Sequence, residues 1–228
     1  MRVLDLYCCA GGAARGYQLA GAEVHGVDLV DRPRYCGERF FHWDAVTFLS
    51  TLTRAIGSYY DLIHASPPCQ ERCTLTTGTN KSRGWGAEHE QLVPRTRELL
   101  ERVGLPYVIE QPTGHKGLIR ADLRLCMDMF PVGNPPWVQR HRDFELSGFT
   151  VPQPPHRKHQ GYVRGYRYGV RREGPYVAAY GSGGDKATVT EMQHALGIGW
   201  TRVREELTEA IPPAYTQHIG MAFLKGRE

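Results

Sequence analysis

Long apolar runs are missing from this chain. No stretch approaches the roughly 18 apolar residues that a membrane-spanning helix needs, and the N-terminus places Arg2 and Asp5 where an apolar leader would stand. The expectation is a soluble, unexported protein of a cytoplasm-like compartment with no membrane partner. Cysteine is also scarce. Six thiols (Cys8, Cys9, Cys36, Cys69, Cys73 and Cys126) in 228 residues are too few for a disulfide scaffold, and none forms a Cys-x-x-Cys array suited to zinc, so reduced thiols and no metal are expected. The phosphate-binding motif Gly-x-x-x-x-Gly-Lys-Ser/Thr is absent, and the second motif glycine of Gly-x-Gly-x-x-Gly cannot be placed. A net charge of +4 and a pI near 8.7 neither demand nor exclude a nucleic-acid partner.

What is present is an alternation of strands and helices. Residues 1–7 read as a buried strand that runs into Cys8-Cys-Ala-Gly-Gly-Ala-Ala-Arg-Gly16 and then a helical pattern over 17–20. A second strand over 22–28 ends on Asp28. Asp44 precedes a helix through 45–56, and a strand over 60–65 empties into Ser66-Pro-Pro-Cys-Gln70. The glycine-rich, polar segment 71–86 reads as a long loop. A helix over 91–103 and a strand over 106–110 ending on Glu110 follow. This order predicts a doubly wound, mostly parallel α/β sheet whose ligands gather at the carboxyl ends of the strands. No internal repeat interrupts it. The length suits one such domain: a catalytic and cofactor-binding part over 1–145, a small basic insertion over 146–178, and a C-terminal return over 179–228 with helices near 188–196, 202–208 and 212–225.

Chemistry-bearing residues fall at those strand ends. A glycine turn between a first strand and its helix lets backbone approach a cofactor, and an acid closing the second strand can bond ribose hydroxyls, which singles out Asp5, Gly11, Gly12 and Asp28. Two prolines stiffen the backbone just before Cys69, where a rigid nucleophile is useful. Glu110 would project into the same crevice, to bind the edge of a base or to pass a proton. The segment 151–172 holds no Asp or Glu but carries Arg157, Lys158, Arg164, Arg167, Arg171 and Arg172 among Tyr162, Tyr166 and Tyr168, a combination suited to phosphate contacts with base stacking.

In seven ordered segments the chain resembles the cytosine-5 DNA methyltransferases. Asp5-Leu-Tyr-Cys-Cys-Ala-Gly-Gly12 is similar to the first cofactor motif, Val27-Asp28 to the ribose-binding acid, and Asp44 to the adenine-side acid. Pro67-Pro-Cys-Gln70 is similar to the nucleophile motif, Ile109-Glu110 to the Glu-Asn motif, and Gln139-Arg-His-Arg142 to the Arg-x-Arg motif. Glu209-Ala-Ile-Pro-Pro-Ala-Tyr-Thr-Gln-His-Ile-Gly220 is similar to the last motif. The resemblance implies a Rossmann-like catalytic domain that binds S-adenosylmethionine through Asp5, Tyr7, Cys8, Cys9, Ala10, Gly11, Gly12, Asp28, Leu29, Asp44, Ala45 and Pro67. Cys69 would be the covalent nucleophile, Glu110 would hold the base, and Arg140 or Arg142 would secure base and phosphate. A monomer acting on DNA is implied, with RNA or single-stranded DNA as the alternative substrate and a catalytically silent nucleic-acid binder as the other reading.

The chain departs from the family pattern at named places. Cys9 stands where a glycine is usual, Gln111 where Asn follows the motif glutamate, Glu209 where Asn precedes the last motif, and Glu71-Arg72 follows Pro-Cys-Gln. The target-recognition region is reduced to the short basic insertion, a brevity similar to that of phage-encoded members.

Overall fold

The structure, a computed structural model, describes residues 1–52, 59–68, 92–131, 133–180 and 185–227. Cys69, Cys73, the expected loop over 71–86 and the end of the helix expected through 56 lie outside the described residues.

Strand β1 (Arg2–Leu6) leads through the glycine turn to α1 (Gly12–Leu19) and β2 (Glu23–Asp28). Then come β3 (Arg39–His42), α2 (Ala45–Thr51), β4 (Leu62–Ala65), α3 (Leu92–Val103) and β5 (Tyr107–Pro112). A short β6 (Leu123–Leu125) and β7 (Arg142–Ser147) precede the hairpin of β8 (Gly165–Arg167) and β9 (Val170–Arg172). Helices α4 (Val189–Leu196), α5 (Arg204–Glu209) and α6 (Pro213–Lys225) close the chain.

Seven strands form one sheet in the order β3-β2-β1-β4-β5-β7-β6. The five from β3 to β5 are parallel, β7 runs antiparallel to β5, and β6 antiparallel to β7. Successive side chains on a strand face opposite ways, and a parallel sheet covered on both sides buries both sets. Val3 therefore enters a core beneath α1, α4 and α6, with Tyr17, Met192, Tyr215 and Ile219, while Leu4 and Leu6 enter a second core beneath α2 and α3, with Leu49, Leu99 and Leu100. Among the described residues no helix is long and apolar enough to cross a membrane.

Three features differ from the sequence expectation. Helix α1 starts at Gly12 rather than near Tyr17, because the small residues there serve packing as well as turning. A Cβ on Gly16 would stand 2.0 Å from the Thr216 hydroxyl and 2.1 Å from the Pro213 carbonyl of α6. Strand β3 stands where the sequence suggests only a lead-in to a helix. Strands β6 and β7 carry no clear signal either, since β7 alternates its apolar Phe144 and Leu146 with buried acids. Asp143 is held there by Arg124 at 2.6 and 2.9 Å and by His115 at 3.1 Å, and Glu145 by Arg97 at 2.8 Å through two bonds. Paired acids of this kind escape a reading based on hydrophobic alternation.

The sheet runs to Ser147. The chain then crosses β6, where Gln153 exchanges hydrogen bonds with the Arg124 backbone, and turns through the β8–β9 hairpin. Val177 and Ala179 are back in the first core.

Candidate active site

Strand order reverses between β1 and β4, so the loops leaving their carboxyl ends diverge and open a crevice. The turn after β1 forms one wall. Gly11, with φ 87°, caps α1 in the left-handed conformation, and a Cβ there would meet the Cys36 sulfur at 2.8 Å. Cys9 also adopts a left-handed backbone, with φ 47°. That is the conformation glycine takes without steric cost, which explains why glycine is usual at this position.

Asp28 organises the turn. Its carboxylate accepts the Cys9 and Val30 N–H groups, each at 2.9 Å, and pairs with Arg32 at 3.2 Å. The Cys9 thiol is pushed up to about 12, first by burial, with the Arg32 charge opposing and the Glu209 carboxylate adding to the rise. Its sulfur lies 3.6 Å from that carboxylate.

The expected cofactor residues divide into framework and surface. Asp5, Cys8, Ala10, Gly11, Gly12 and Ala45 are buried. Ala45 lies in the second core, the Ala10 carbonyl is capped by the Trp200 indole at 2.8 Å, and a Cβ on Gly12 would meet the Ile211 carbonyl at 2.3 Å. Asp5 is wholly buried with neither carboxylate oxygen hydrogen-bonded by a described side chain, and burial together with the Asp28 charge raises its pKa well above the usual range. These six side chains are packed beneath the turn, and the approach expected of them is through backbone.

Leu29 is exposed, and Tyr7, Cys9 and Asp44 are partly exposed. Asp44 caps α2 by accepting the Thr47 N–H and hydroxyl at 2.7 Å through one oxygen. Beside it, Leu29, Val30 and Trp43 are 67%, 55% and 47% exposed. Three large apolar side chains held open around two strand-end acids fit an adenine ring and its ribose. Asp28 retains acceptor capacity for a hydroxyl, since an ionised carboxylate has about four lone-pair sites. The residues present therefore fit S-adenosylmethionine. Val30, Arg32 and Trp43 are not singled out by the sequence motifs, although each lies within a few residues of Asp28 or Asp44.

The other wall is built from β4, β5 and β7. Glu110 on β5 is buried, and its carboxylate lies 2.6 Å from the Arg142 guanidinium on β7. Burial raises the Glu110 pKa, opposed by the charges of Arg142 and Arg140 and by the Ser66 hydroxyl. Arg140 is itself buried, with its guanidinium donating to the Ala179 carbonyl at 3.1 Å and the Thr208 carbonyl at 2.5 Å. Burial and the neighbouring Arg142 charge lower it to about 9, and its Nε has no partner among the described residues.

Gln111 ties this wall to the loop that carries the expected nucleophile. Its side-chain N–H donates to the Pro67 carbonyl at 2.6 Å. Within β4, His64 bridges the Tyr17 hydroxyl at 3.0 Å and the Ser66 hydroxyl at 3.1 Å, and complete burial lowers its pKa to about 3. The structure thus brings Glu110, Arg140, Arg142 and Pro67 together. The Cys69 position follows two residues after Pro67.

The basic insertion is less free than its sequence suggests. Arg164 makes a two-bond pair with Glu191, at 2.8 and 2.9 Å, and Arg171 pairs with Glu173 and Asp185. These acids lie outside the acid-free window, so the structure gives Arg164 and Arg171 carboxylate partners that the window itself does not show. Arg157 and Lys158 are exposed, Arg172 lies over the Tyr162 ring at 5.2 Å, and Arg167 ends β8. Tyr162, Tyr166 and Tyr168 are all exposed.

The strand order, the antiparallel β7 and the crevice between β1 and β4 define the Rossmann-like fold of S-adenosylmethionine-dependent methyltransferases. Over its full length the chain is structurally similar to the Dnmt2 methyltransferase of S. pombe, with a TM-score of 0.59, 14% identity, and 100% of this chain and 99% of that one covered. It is similar over the same coverage to the Entamoeba histolytica methyltransferase EhMeth, with a TM-score of 0.54 and 11% identity. At such identities the likeness establishes the fold alone. No protein-family model matches the chain, and no curated protein matches its sequence.

Proposed function

We propose that this chain methylates carbon 5 of cytosine in DNA, with S-adenosylmethionine as donor and Cys69 as nucleophile. The observation that carries this reading is the cluster of Arg142, Arg140 and Ser66 around the buried Glu110 carboxylate of β5, fastened by Gln111 to the loop that leads into Cys69.

Carbon 5 of cytosine is too electron-poor to attack a methyl group unaided. The Cys69 thiolate forms a bond to carbon 6, and the displaced ring electrons make carbon 5 nucleophilic while negative charge gathers at ring nitrogen 3. Glu110, kept protonated to higher pH than an ordinary carboxyl, donates a hydrogen bond to that nitrogen and accepts one from the exocyclic amine. Arg142 holds Glu110 in place, and the charges of Arg140 and Arg142 favour the thiolate. S-adenosylmethionine, when bound, supplies an electrophilic methyl group. Loss of the carbon-5 proton to a base and of the sulfur from carbon 6 restores the aromatic ring. In duplex DNA the base must leave the stack, which costs a few kcal/mol.

A second reading keeps the chemistry on RNA or single-stranded DNA. The three exposed tyrosines of the insertion favour it, since aromatic faces stack on unpaired bases. Transfer of labelled methyl from S-adenosylmethionine to duplex DNA, single-stranded DNA and transfer RNA separates the two. Labelled 5-methylcytosine in duplex DNA supports the first reading, and labelling confined to the other substrates replaces it with the second. No labelling of any of the three would remove both.

A further inference from the structure

At the edge of the sheet, beside the strand that carries Arg142, four metal-ligating side chains converge. Cys126 follows β6, His141 sits between the two arginines, and His156 and His159 come from the segment that crosses toward the β8–β9 hairpin. One donor atom from each lies within 4.8 Å of the other three. The histidine rings form a closed triangle, with centroids 4.9 Å apart for His156 and His159, 5.2 Å for His141 and His159, and 5.4 Å for His141 and His156.

We infer that Cys126, His141, His156 and His159 bind one zinc ion. One thiolate and three imidazoles complete a four-coordinate shell of the ligand types that select zinc, and four protein ligands leave no open position for substrate, as in structural sites. Bonds of about 2.0 to 2.3 Å place tetrahedral donors roughly 3.3 to 3.8 Å apart, so the four side chains need draw in by only about an ångström. Among the described residues no hydrogen bond engages the ring nitrogens of His141 or His156. On binding, Cys126 gives its proton to solvent.

The surrounding contacts suit a metal. His159 is bonded through Nδ1 to the Asp128 carboxylate, which also accepts the Tyr176 hydroxyl at 2.7 Å. That leaves Nε2 of His159 as its ligand atom, fixed by a carboxylate as metal-bound histidines usually are. A zinc ion here clamps the path into the basic insertion to the edge of the main sheet. It also holds the His141 backbone, whose carbonyl accepts from Arg142 at 3.1 Å. No Cys-x-x-Cys spacing announces this site, because its ligands are spread over residues 126 to 159 and meet only through the fold.

The test is elemental analysis of the full chain, purified without a polyhistidine tag and dialysed against metal-free buffer. One zinc per chain is expected in wild type and in His194→Ala, whose ring is engaged elsewhere on the Asn134 carbonyl. Loss of the metal is expected in Cys126→Ala and in His156→Ala, the latter an exposed position whose replacement leaves the core intact. Asp128→Asn should weaken zinc binding by roughly 10- to 100-fold. Cobalt added to the metal-free protein should give a thiolate-to-metal charge-transfer band that Cys126→Ala lacks. Wild type that neither retains zinc nor binds added zinc or cobalt would overturn the inference, as would zinc held equally by Cys126→Ala and His156→Ala.

Discussion

The Gln111 side chain reaches from β5 to the Pro67 carbonyl at 2.6 Å and fixes the loop after β4 against the wall that holds Glu110. Gln111 thus does for this loop what its position beside the motif glutamate allows, and the added methylene relative to Asn supplies reach. Gln111→Ala leaves a buried carbonyl unpaired, at a cost of about 1–3 kcal/mol. Urea denaturation should show this loss, and methyl transfer should fall through kcat while S-adenosylmethionine binding by calorimetry is unchanged.

His64 makes stability pH-dependent. Its folded pKa of about 3 lies below the ordinary value of 6.5, so below pH 6.5 the unfolded chain takes up a proton that the folded chain refuses. The His64 contribution is complete above pH 6.5 and is lost progressively as the pH falls toward 3. The loss is about 1.4 kcal/mol per pH unit, or about 2 kcal/mol by pH 5. Denaturation at pH 7.5 and pH 5 should show this drop in wild type, and His64→Gln should show a smaller one by that amount.

Much of this architecture is legible in the chain. Parallel strands buried on both faces leave apolar runs, so β1, β2, β4 and β5 stand out, and the acids and prolines at their ends mark the crevice. The antiparallel edge does not, because β7 buries Asp143 and Glu145, and partners distant in sequence, Arg124 and His115 for the first and Arg97 for the second, make that tolerable. The same non-local pairing hides the state of Arg164, whose partner Glu191 belongs to the capping box of α4. The segment after β1 is legible as a turn, but which of its side chains face out depends on packing: Trp200 and Ile211 cover the turn from far along the chain.

Nucleic-acid affinity should follow the cations that no carboxylate engages among the described residues. Replacing Arg157, Lys158 and Arg172 together by Gln should weaken binding and reduce the log–log salt slope by about one for each phosphate no longer neutralised. Arg164→Ala should instead lower the melting temperature by removing the Glu191 partner, with the salt slope kept. A slope unchanged in the triple variant would return these residues to ordinary solvated surface.

Gly16 marks the approach of α1 to α6. Gly16→Ala places a methyl group 2.0 Å from the Thr216 hydroxyl and 2.1 Å from backbone, and the helices must separate. A loss of about 1–3 kcal/mol or more is expected, read as a lower midpoint in urea at an unchanged slope.

Covalent capture on a fluorinated base tests the central claim most directly. Fluorine at carbon 5 of cytosine blocks the final proton loss, so the sulfur–carbon 6 bond cannot be released after methyl transfer. Wild-type protein incubated with a 5-fluorocytosine oligonucleotide and S-adenosylmethionine should give a denaturation-resistant complex. Cys73→Ser should give the same complex, and Cys69→Ser should give none while still binding S-adenosylmethionine. A complex that persists in Cys69→Ser would contradict the account.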